Sequence, residues 1–220
     1  MFISSWSTGK NKVVYQEGCY NCDGPRTGTF VYDTSSNKNT EIISGVKGFD
    51  LNAVVASDDF TKVTYVESTA NPNLAGEALD GGSGAPYKIN LLNLKTGKTT
   101  LVATIGTKNE KNSNGTYKYR FILAGKVLGT DKFYYTDGEK QLFTFSTSSI
   151  TPSLAFSAGK NIYEVPLVAV NTTGDGQIVF AGYGKDTSDY TLASYDTKTK
   201  KSVTIFQGDN NTVIFGVTTK

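Results

Sequence analysis

The fold of this chain is decided by the stretch Asp175-Gly176-Gln177-Ile178-Val179-Phe180 and by Ala193-Ser194-Tyr195-Asp196-Thr197-Lys198-Thr199, which soon follows it. The first reads as a tight Asp-Gly turn leading into a strand of β-branched and aromatic residues. The second reads as a strand that ends in another polar turn. The same order of turn, strand, polar loop, strand and turn returns along the chain, so the sequence is an internal repeat.

The first strand of the repeat occurs in four copies, each with a long polar residue ahead of β-formers and an aromatic residue at its end. The aromatic residues lie 50, 70 and 45 positions apart, which is close to the length of a propeller blade. The copies are Lys12–Tyr15, Lys62–Tyr65, Lys132–Tyr135 and Gln177–Phe180.

Three further features accompany each first strand. A strand ending in an Asp-, Asn-, Ser- or Gly-rich turn follows it, as Val31–Ser36, Leu91–Gly97, Thr144–Ser149 and Ser194–Thr199. One more short strand comes next, as Thr40–Ile43, Thr99–Val102, Ser153–Phe156 and Ser202–Phe206. An apolar run suited to a buried strand precedes each copy, as Phe2–Trp6, Leu51–Ala56, Phe121–Leu128 and Val165–Val170.

Four-stranded units recurring every 45 to 70 residues, without helical periodicity over ten or more residues, predict an all-β chain. We expect a β-propeller of about four four-stranded blades, because an irregular β-sandwich, the alternative, has no reason to repeat one strand–turn–strand order four times. A single domain is expected over residues 1–220, with Asn73–Leu79 as the one candidate for a helical turn. The expected blades are approximately 1–45, 46–104, 117–158 and 162–207, with a closing or extra strand at 212–219.

The extra strand, Val213–Val217, allows two arrangements. It could join Phe2–Trp6 in the first unit, which would close a four-bladed ring and remove a free edge. Alternatively it begins a fifth blade, and the chain is an arc of a larger propeller. An open propeller would leave hydrophobic edges that need a partner, for example in a homo-oligomer.

The stretch Asp175–Phe180 followed by Ser194–Thr199 resembles the WD40-like (PD40) repeats of TolB-type β-propellers, which also occur in the propeller domains of prolyl oligopeptidase relatives. The other units are looser, since the second has Asp58-Asp59 and the first has Gly9-Lys10 at the turn. The resemblance implies the fold and not a function, because one fold carries many functions.

Composition narrows the classes of function. The chain has no histidine, which excludes a Ser-His-Asp triad, a Cys-His pair and an imidazole metal site. A net charge of +2 with scattered lysines does not indicate a nucleic-acid partner. No window approaches 18 consecutive apolar residues, so we expect no membrane span. No signal peptide is visible either, which an excised domain or a mature form would also explain.

The long loops predict the functional face. In a propeller blade, the loop between the second and third strands shares a face with the connection to the next blade, and long loops are uncommon unless they are functional or disordered. Insertions are also tolerated cheaply, which is the alternative explanation. The long segments are Glu17–Gly28, Glu67–Tyr87, Tyr183–Tyr190 and Ile105–Tyr119. The candidate partner-binding residues are Tyr20, Asp23, Arg26, Glu77, Asp80, Tyr117, Tyr119, Tyr183 and Asp186.

Cys19 and Cys22 lie in the first long loop. A redox motif would need a helix N-terminus, and zinc would need ligands that the chain lacks. We expect a small disulfide, with reduced thiols as the alternative; a bridge would indicate an oxidising compartment. Gly81–Gly84 and Asn171–Gly176 are interpreted as a flexible loop and a turn rather than as phosphate or calcium sites.

These observations predict a non-catalytic binding or scaffold module that acts through the long-loop face, without a cofactor or metal. The expected partner is a protein, at the cell surface, in the periplasm or in a secreted form. The alternatives are a carbohydrate-binding or carboxylate-based glycosidase or lyase propeller, and the accessory propeller of a larger hydrolase. A glycosidase needs two carboxyl groups about 5–10 Å apart, whereas the acidic residues here are dispersed in turns.

Overall fold

The computed structural model describes ten stretches of the chain: residues 2–7, 10–17, 28–44, 54–67, 86–106, 122–137, 141–157, 167–173, 175–183 and 190–208. All sixteen regular elements in these stretches are β-strands. The chain divides into two compact units, Met1–Gly125 and Lys126–Lys220. Each unit is described by itself below.

The first unit contains two antiparallel four-stranded sheets, which we call blades 1 and 2. Blade 1 consists of β1 (Phe2–Ser7), β2 (Lys12–Glu17), β3 (Gly28–Asp33) and β4 (Lys38–Ser44). Blade 2 consists of β5 (Val55–Ala56), β6 (Lys62–Glu67), β7 (Tyr87–Asn93) and β8 (Thr99–Ile105). Strands that are consecutive in the chain are neighbours in each sheet, so both blades are antiparallel meanders.

The second unit repeats this arrangement in blades 3 and 4. Blade 3 consists of β9 (Ala124–Leu128), which begins just before the unit, β10 (Lys132–Thr136), β11 (Gln141–Ser146) and β12 (Ser153–Ser157). Blade 4 consists of β13 (Leu167–Thr173), β14 (Gln177–Tyr183), β15 (Tyr190–Asp196) and β16 (Lys201–Gly208). The first strands of the two blades pair in parallel, Val127 with Thr172 and Leu128 with Thr173, so blades 3 and 4 form one eight-stranded sheet.

The predicted four four-stranded units are therefore confirmed. The predicted single domain, its blade limits and the strand at 212–219 stay predictions, and both residues 209–220 and the helical turn at Asn73–Leu79 lie outside the described residues.

The four blades share one register down to single residues. The residue that opens each second strand pairs with the residue that closes the third, as Lys12 with Asp33, Lys62 with Asn93, Lys132 with Ser146 and Gln177 with Asp196. Each fourth strand carries a register shift at the same place, opposite Thr29, Ile89, Leu142 and Leu192 of the third strands. Such a bulge bends the outer strand and increases its twist.

At one end of each blade, which we call the turn end, the two turns are tied together. In each blade, the backbone N–H of the residue that follows the third strand donates a hydrogen bond to the backbone carbonyl of the residue that precedes the second strand. The donor–acceptor pairs are Thr34–Asn11, Leu94–Thr61, Thr147–Asp131 and Thr197–Gly176, with N–O distances of 2.8 to 3.3 Å. The side chain of the last residue of each third strand accepts a hydrogen bond from another backbone N–H of the turn. These residues are Asp33, Asn93, Ser146 and Asp196. The turn ends therefore satisfy their hydrogen bonds internally.

The Asp175-Gly176 turn belongs to this framework. Asp175 accepts a hydrogen bond from the N–H of Gln177 at 3.4 Å, and Gly176 has a φ of +100°. A Cβ atom on Gly176 would lie 2.5 Å from the Thr197 hydroxyl oxygen, so the position requires glycine. These contacts make the turn structural, in agreement with its interpretation from the sequence.

Each blade has two faces. We call the face toward the following blade the forward face, and the face toward the preceding blade the rear face. In the first unit, the forward face of blade 1 meets the rear face of blade 2 in one apolar cluster of Val14, Val31, Ile43, Val54, Ala56, Phe60, Val63, Tyr65 and Leu92. In the second unit, Phe156 on the forward face of blade 3 lies between Phe180 and Tyr195 on the rear face of blade 4, with ring centroids 4.8 and 4.7 Å apart.

Candidate functional site

The end of each blade opposite the turns, which we call the loop end, carries the long connections. Second strands end at Glu17, Glu67, Thr136 and Tyr183, and third strands begin at Gly28, Tyr87, Gln141 and Tyr190. Because neighbouring strands are antiparallel, the connection to the next blade leaves from this same end. The connections between the second and third strands differ in length. In blades 1 and 2 they comprise residues 18–27 and 68–86, and they are longer than the matching connections of blades 3 and 4, residues 137–140 and 184–189.

The residues singled out from the sequence belong to these connections. Tyr183 ends β14, and its side chain is outside the described part of the chain. The remaining candidates also fall outside the described stretches, as do both cysteines: Tyr20, Asp23, Arg26, Glu77, Asp80, Tyr117, Tyr119, Asp186, Cys19 and Cys22. Their roles, including the disulfide, stay predictions.

At the loop end, where β2 and β6 lead into the connections 18–27 and 68–86, the packed faces of blades 1 and 2 change from apolar to polar. On the forward face of blade 1, Gln16 and Thr29 pair with each other one step beyond Val14 and Val31 along β2 and β3. Both are buried, with Gln16 only 2% exposed. On the rear face of blade 2, Glu67 and Asn90 follow Tyr65 and Leu92 in the same way. We call Gln16, Thr29, Glu67 and Asn90 the amide site.

The amide of Gln16 is incompletely hydrogen-bonded. Its Nε2 donates to the Thr29 hydroxyl oxygen at 3.4 Å, and its Oε1 accepts no hydrogen bond from the described residues. The single hydroxyl of Thr29 can bond only one terminal atom of the amide, so turning the amide over would leave the other atom unsatisfied instead. A buried polar atom without a partner costs about 1–3 kcal/mol, and such atoms mark places that a further hydrogen-bonding group completes.

The blade 2 half of the amide site is better satisfied. Asn90 is buried, and its Nδ2 donates to Glu67 Oε2 at 3.3 Å and to the Lys88 carbonyl at 3.5 Å. Burial, assisted by the nearby negative charge of Glu67, raises the pKa of Tyr65 against a hydrogen bond with Thr99 that lowers it. The Tyr65 phenol therefore stays neutral at physiological pH. Glu67 is the one carboxylate among the four residues of the amide site, and the other three side chains offer neutral hydrogen-bonding groups.

Sequence reasoning missed this site, although the repeat contains the signal. The register aligns the pair Gln16–Thr29 with Val66–Ile89 in blade 2 and Thr136–Leu142 in blade 3. Blade 2 fills the position of Gln16 with valine and blade 3 fills it with a buried threonine, so glutamine is the largest polar side chain among these three copies. Comparing the copies position by position, rather than searching for motifs, would have found it.

Two other kinds of feature were searched for within the described stretches. They contain no group of three or more Cys, Asp or Glu side chains that could hold a metal ion. They also contain no helix with the length and apolar character needed to cross a membrane.

Three solved structures show what the chain is similar to. TolB from Acinetobacter baumannii superposes on 93% of this chain with a TM-score of 0.58 and 14% sequence identity. An oligogalacturonate lyase in complex with manganese superposes on 90% with a TM-score of 0.56 and 12% identity. The β-propeller domain of the Trilobed protease from Pyrococcus furiosus, which has an open velcro topology, superposes on 94% with a TM-score of 0.55 and 14% identity.

The superpositions cover 43%, 50% and 58% of those proteins, so this chain spans about half of their length. None of the protein-family models and none of the curated proteins matches the sequence. At these identities the likeness shows the fold alone. The chain is an all-β protein with the β-propeller fold of TolB, and the resemblance predicted from the repeat is confirmed at the level of the fold.

Proposed function

We propose that this chain is a non-catalytic binding module that holds a protein partner at the loop end of blades 1 and 2. The observation that carries the proposal is the buried Oε1 of Gln16, which accepts no hydrogen bond from the described residues and lies at the end of β2 that leads into the connection 18–27. Backbone N–H groups of a polypeptide are donors suited to such an acceptor. The turn ends, by contrast, satisfy their own hydrogen bonds and repeat from blade to blade.

The predicted partner-binding residues fit this assignment. Tyr20, Asp23 and Arg26 belong to the connection after β2, and Glu77 and Asp80 to the connection after β6. Tyrosine and arginine are the side chains that most often dominate protein–protein interfaces. We also propose a location in the periplasm, at the cell surface or outside the cell, which rests on a bridge between Cys19 and Cys22.

Crosslinking and pull-down with altered connections test the binding role. Residues 18–27 and 68–86 are each replaced by a short Gly-Ser linker, and the matched control replaces Thr34–Asn37 at the turn end of blade 1. We expect both linker variants to lose the partner and the turn-end variant to keep it. Capture that survives both linker replacements would overturn the proposal, as would equal loss in the turn-end variant.

A second candidate function is carbohydrate binding, with or without lyase activity. The part-buried Asn90–Glu67 pair, with 3.3 Å between Nδ2 and Oε2, and the Gln16 amide are groups that hydrogen-bond sugar hydroxyls. One structural neighbour is an oligogalacturonate lyase in complex with manganese. Calorimetry with oligogalacturonate, with and without manganese, separates the candidates: saturable binding lost in Gln16→Val supports the carbohydrate, and no heat supports the protein partner.

The third assignment, the accessory propeller of a larger hydrolase, is supported by the neighbouring propeller domain of a protease. Sequencing the native gene on both sides of the region that encodes residues 1–220 tests it. An adjoining hydrolase domain in the same reading frame would support this assignment.

A further inference from the structure

A residue in the left-handed conformation lies in the turn that leads into each second strand. In three blades it is a residue that adopts this conformation at little cost, namely Asn11, Gly129 or Gly176. In blade 2 it is Phe60, whose φ is 54°. A bulky side chain in this region is a backbone outlier, and it persists only where the surrounding structure holds it in place. Phe60 is therefore a strained position in the turn between β5 and β6.

The ring of Phe60 supplies the contact that holds this strained backbone. It is 5% exposed and belongs to the apolar cluster in which blade 2 packs against Val14, Val31 and Ile43 of blade 1. In the matching turn of blade 3, a Cβ atom on Gly129 would meet nothing within 4 Å. The turn of blade 2 thus differs from its counterpart because it is anchored on another blade.

Within the turn, Asp59 adds local hydrogen bonds. Its Oδ1 accepts from the Ser57 hydroxyl at 2.6 Å and from the Thr61 N–H at 3.0 Å. The N–H of Phe60 donates to the Ser57 carbonyl at 2.9 Å. These bonds join residues 57–61 to one another, so we expect the turn to move as one piece.

The strand ahead of this turn is held weakly by its own sheet. β5 has two residues, whereas the first strands of the other blades, β1, β9 and β13, have six, five and seven. Its ladder with β6 consists of the pairs made by Val55 and Ala56. By contrast, Val54, Ala56 and Phe60 are all buried in the cluster shared with blade 1. Packing between the blades, rather than backbone pairing, therefore keeps this segment in place.

We propose that residues 54–61, which we call the inner strap, detach from blade 2 as one unit, and that the buried ring of Phe60 is the latch that keeps them in place. While blades 1 and 2 stay packed, the ring holds the turn in its strained conformation and β5 on β6. When the packing loosens, the ring leaves, the backbone relaxes, and β5 has too few ladder bonds to remain paired. The strain makes this release easier than the opening of the other first strands.

Native-state hydrogen exchange of the 220-residue chain, followed by NMR at urea concentrations well below unfolding, tests the inner strap. The reporters are the amide hydrogens of Ser57 and Phe60, which donate to the Lys62 and Ser57 carbonyls, both at 2.9 Å. We expect one common protection factor for the two, at least about tenfold lower than in the β6–β7 ladder and less dependent on urea. If both reporters instead follow the β6–β7 ladder, the strap does not open separately and the proposal is overturned.

A pair of substitutions tests the strain. Phe60→Ala and Phe60→Gly both remove the ring, so each should lower the protection of Ser57 by more than about tenfold. At an ordinary backbone position glycine is the more destabilising of the two, whereas at a left-handed position alanine is. The latch predicts the second order, with Ser57 about fivefold better protected in Phe60→Gly than in Phe60→Ala. The first order would show that Phe60 stores no strain and would overturn the latch.

A pair of buried valines tests the coupling between the blades. Val14, 0% exposed, lies in the cluster on the blade 1 side, and Val66, 1% exposed, lies on the forward face of blade 2. Val14→Ala should lower the protection of Ser57 and Phe60 by about fivefold or more, because it loosens the packing around the latch. Val66→Ala, the matched control, should change it by less than about twofold, although Val66 belongs to the same blade as the strap. Equal loss in both variants would mean that blade 1 does not hold the strap, which would overturn the coupling.

Discussion

The blade 1–blade 2 interface and the blade 3–blade 4 interface are built on the same register but filled differently. Around Ile43 the first is mainly aliphatic, and it becomes polar at Gln16, Thr29 and Asn90. The second is aromatic around Phe156, and the positions that match Gln16, Thr29 and Asn90 hold Thr136, Leu142 and Ala193.

This difference in polarity separates two interfaces that share one repeated scaffold. The blade 3–blade 4 interface buries aromatic surface around Phe156, which contributes to stability. In the blade 1–blade 2 interface, Gln16 Oε1 has no hydrogen-bond partner among the described residues, which costs stability. Copies of one repeat thus keep the same register while the polarity of their packed faces differs.

The largest effect is expected from removing the aromatic ring at the centre of the second interface. Phe156→Ala should lower the free energy of unfolding by about 3–5 kcal/mol, because it opens a cavity between Phe180 and Tyr195. Phe206→Ala is the matched control, since it changes the same register position in blade 4 where the ring is exposed; it should cost less than about 1 kcal/mol. Urea unfolding at low protein concentration measures both, and equal losses would contradict the assigned packing.

The next effect extends the comparison from the interfaces to the turn ends. Gly176→Ala should destabilise the protein by about 1–3 kcal/mol, because the residue has a φ of +100° and its Cβ would lie 2.5 Å from the Thr197 hydroxyl. Blade 1 has Asn11 at the same position with a φ of 52°, which asparagine tolerates. Gly97→Ala is the control, because its φ is +70° and a Cβ there meets nothing within 4 Å. The urea midpoint of unfolding should therefore fall further in Gly176→Ala than in Gly97→Ala.

A smaller effect is expected when the polar interface is made to resemble an apolar one. The double variant Gln16→Val with Thr29→Ile copies Val66 and Ile89 of blade 2. It should keep or raise the free energy of unfolding, by up to about 1 kcal/mol, because both hydrogen-bonding groups are removed together. Gln16→Val alone should lose about 1 kcal/mol, because the Thr29 hydroxyl is left unpaired. A double variant less stable than the single one would show that the amide is satisfied in the native protein.

The smallest effect concerns the carboxylates at the turn ends. The pKa of Asp196 is lowered by the N–H groups of Thr199 and Lys198, and the pKa of Asp33 by the Ser35 hydroxyl and nearby N–H groups. Because the folded values lie below the ordinary 3.8, this stability is fully present above that pH and is lost as the pH falls through the lowered values.

Asp196→Asn keeps the side-chain acceptor that Asn93 provides in blade 2 and removes the charge. The free energy of unfolding should then fall less steeply between pH 5 and pH 2 than in the unchanged protein. The reciprocal change, Asn93→Asp, should make the fall steeper. If neither variant changes how steeply the free energy of unfolding falls with pH, these turn carboxylates do not contribute to acid sensitivity.

Much of the fold follows from the sequence because the turns repeat with the same chemistry. The strands Lys62–Tyr65 and Gln177–Phe180 were predicted where β6 and β14 are found, since a polar turn fixes where each strand begins. The loop limits at Glu17 and Gly28 were also predicted correctly. Local hydrogen bonding at turns leaves a clear signature in the sequence.

The candidate site could not be predicted in the same way, because it depends on a contact between blades. Whether Gln16 is buried is decided by the face of blade 2 that packs on it, and no local pattern encodes that face. The bulge in each outer strand adds a second obstacle, since a one-residue shift moves the following side chains to the other face. Phe206 is an example, because alternation counted from Val203 would place it on the wrong side of β16.

The parallel pairing of β9 with β13 has a consequence for how the second unit loses its structure. The two backbone ladders meet at Val127–Thr172 and Leu128–Thr173, so neither blade can open fully without breaking a bond to its neighbour. Nearest-neighbour coupling of this kind makes adjacent repeats unfold cooperatively. Amide hydrogens in β10 and β14 should therefore exchange with solvent at one common free energy, and blades 3 and 4 would behave as a single cooperative folding unit.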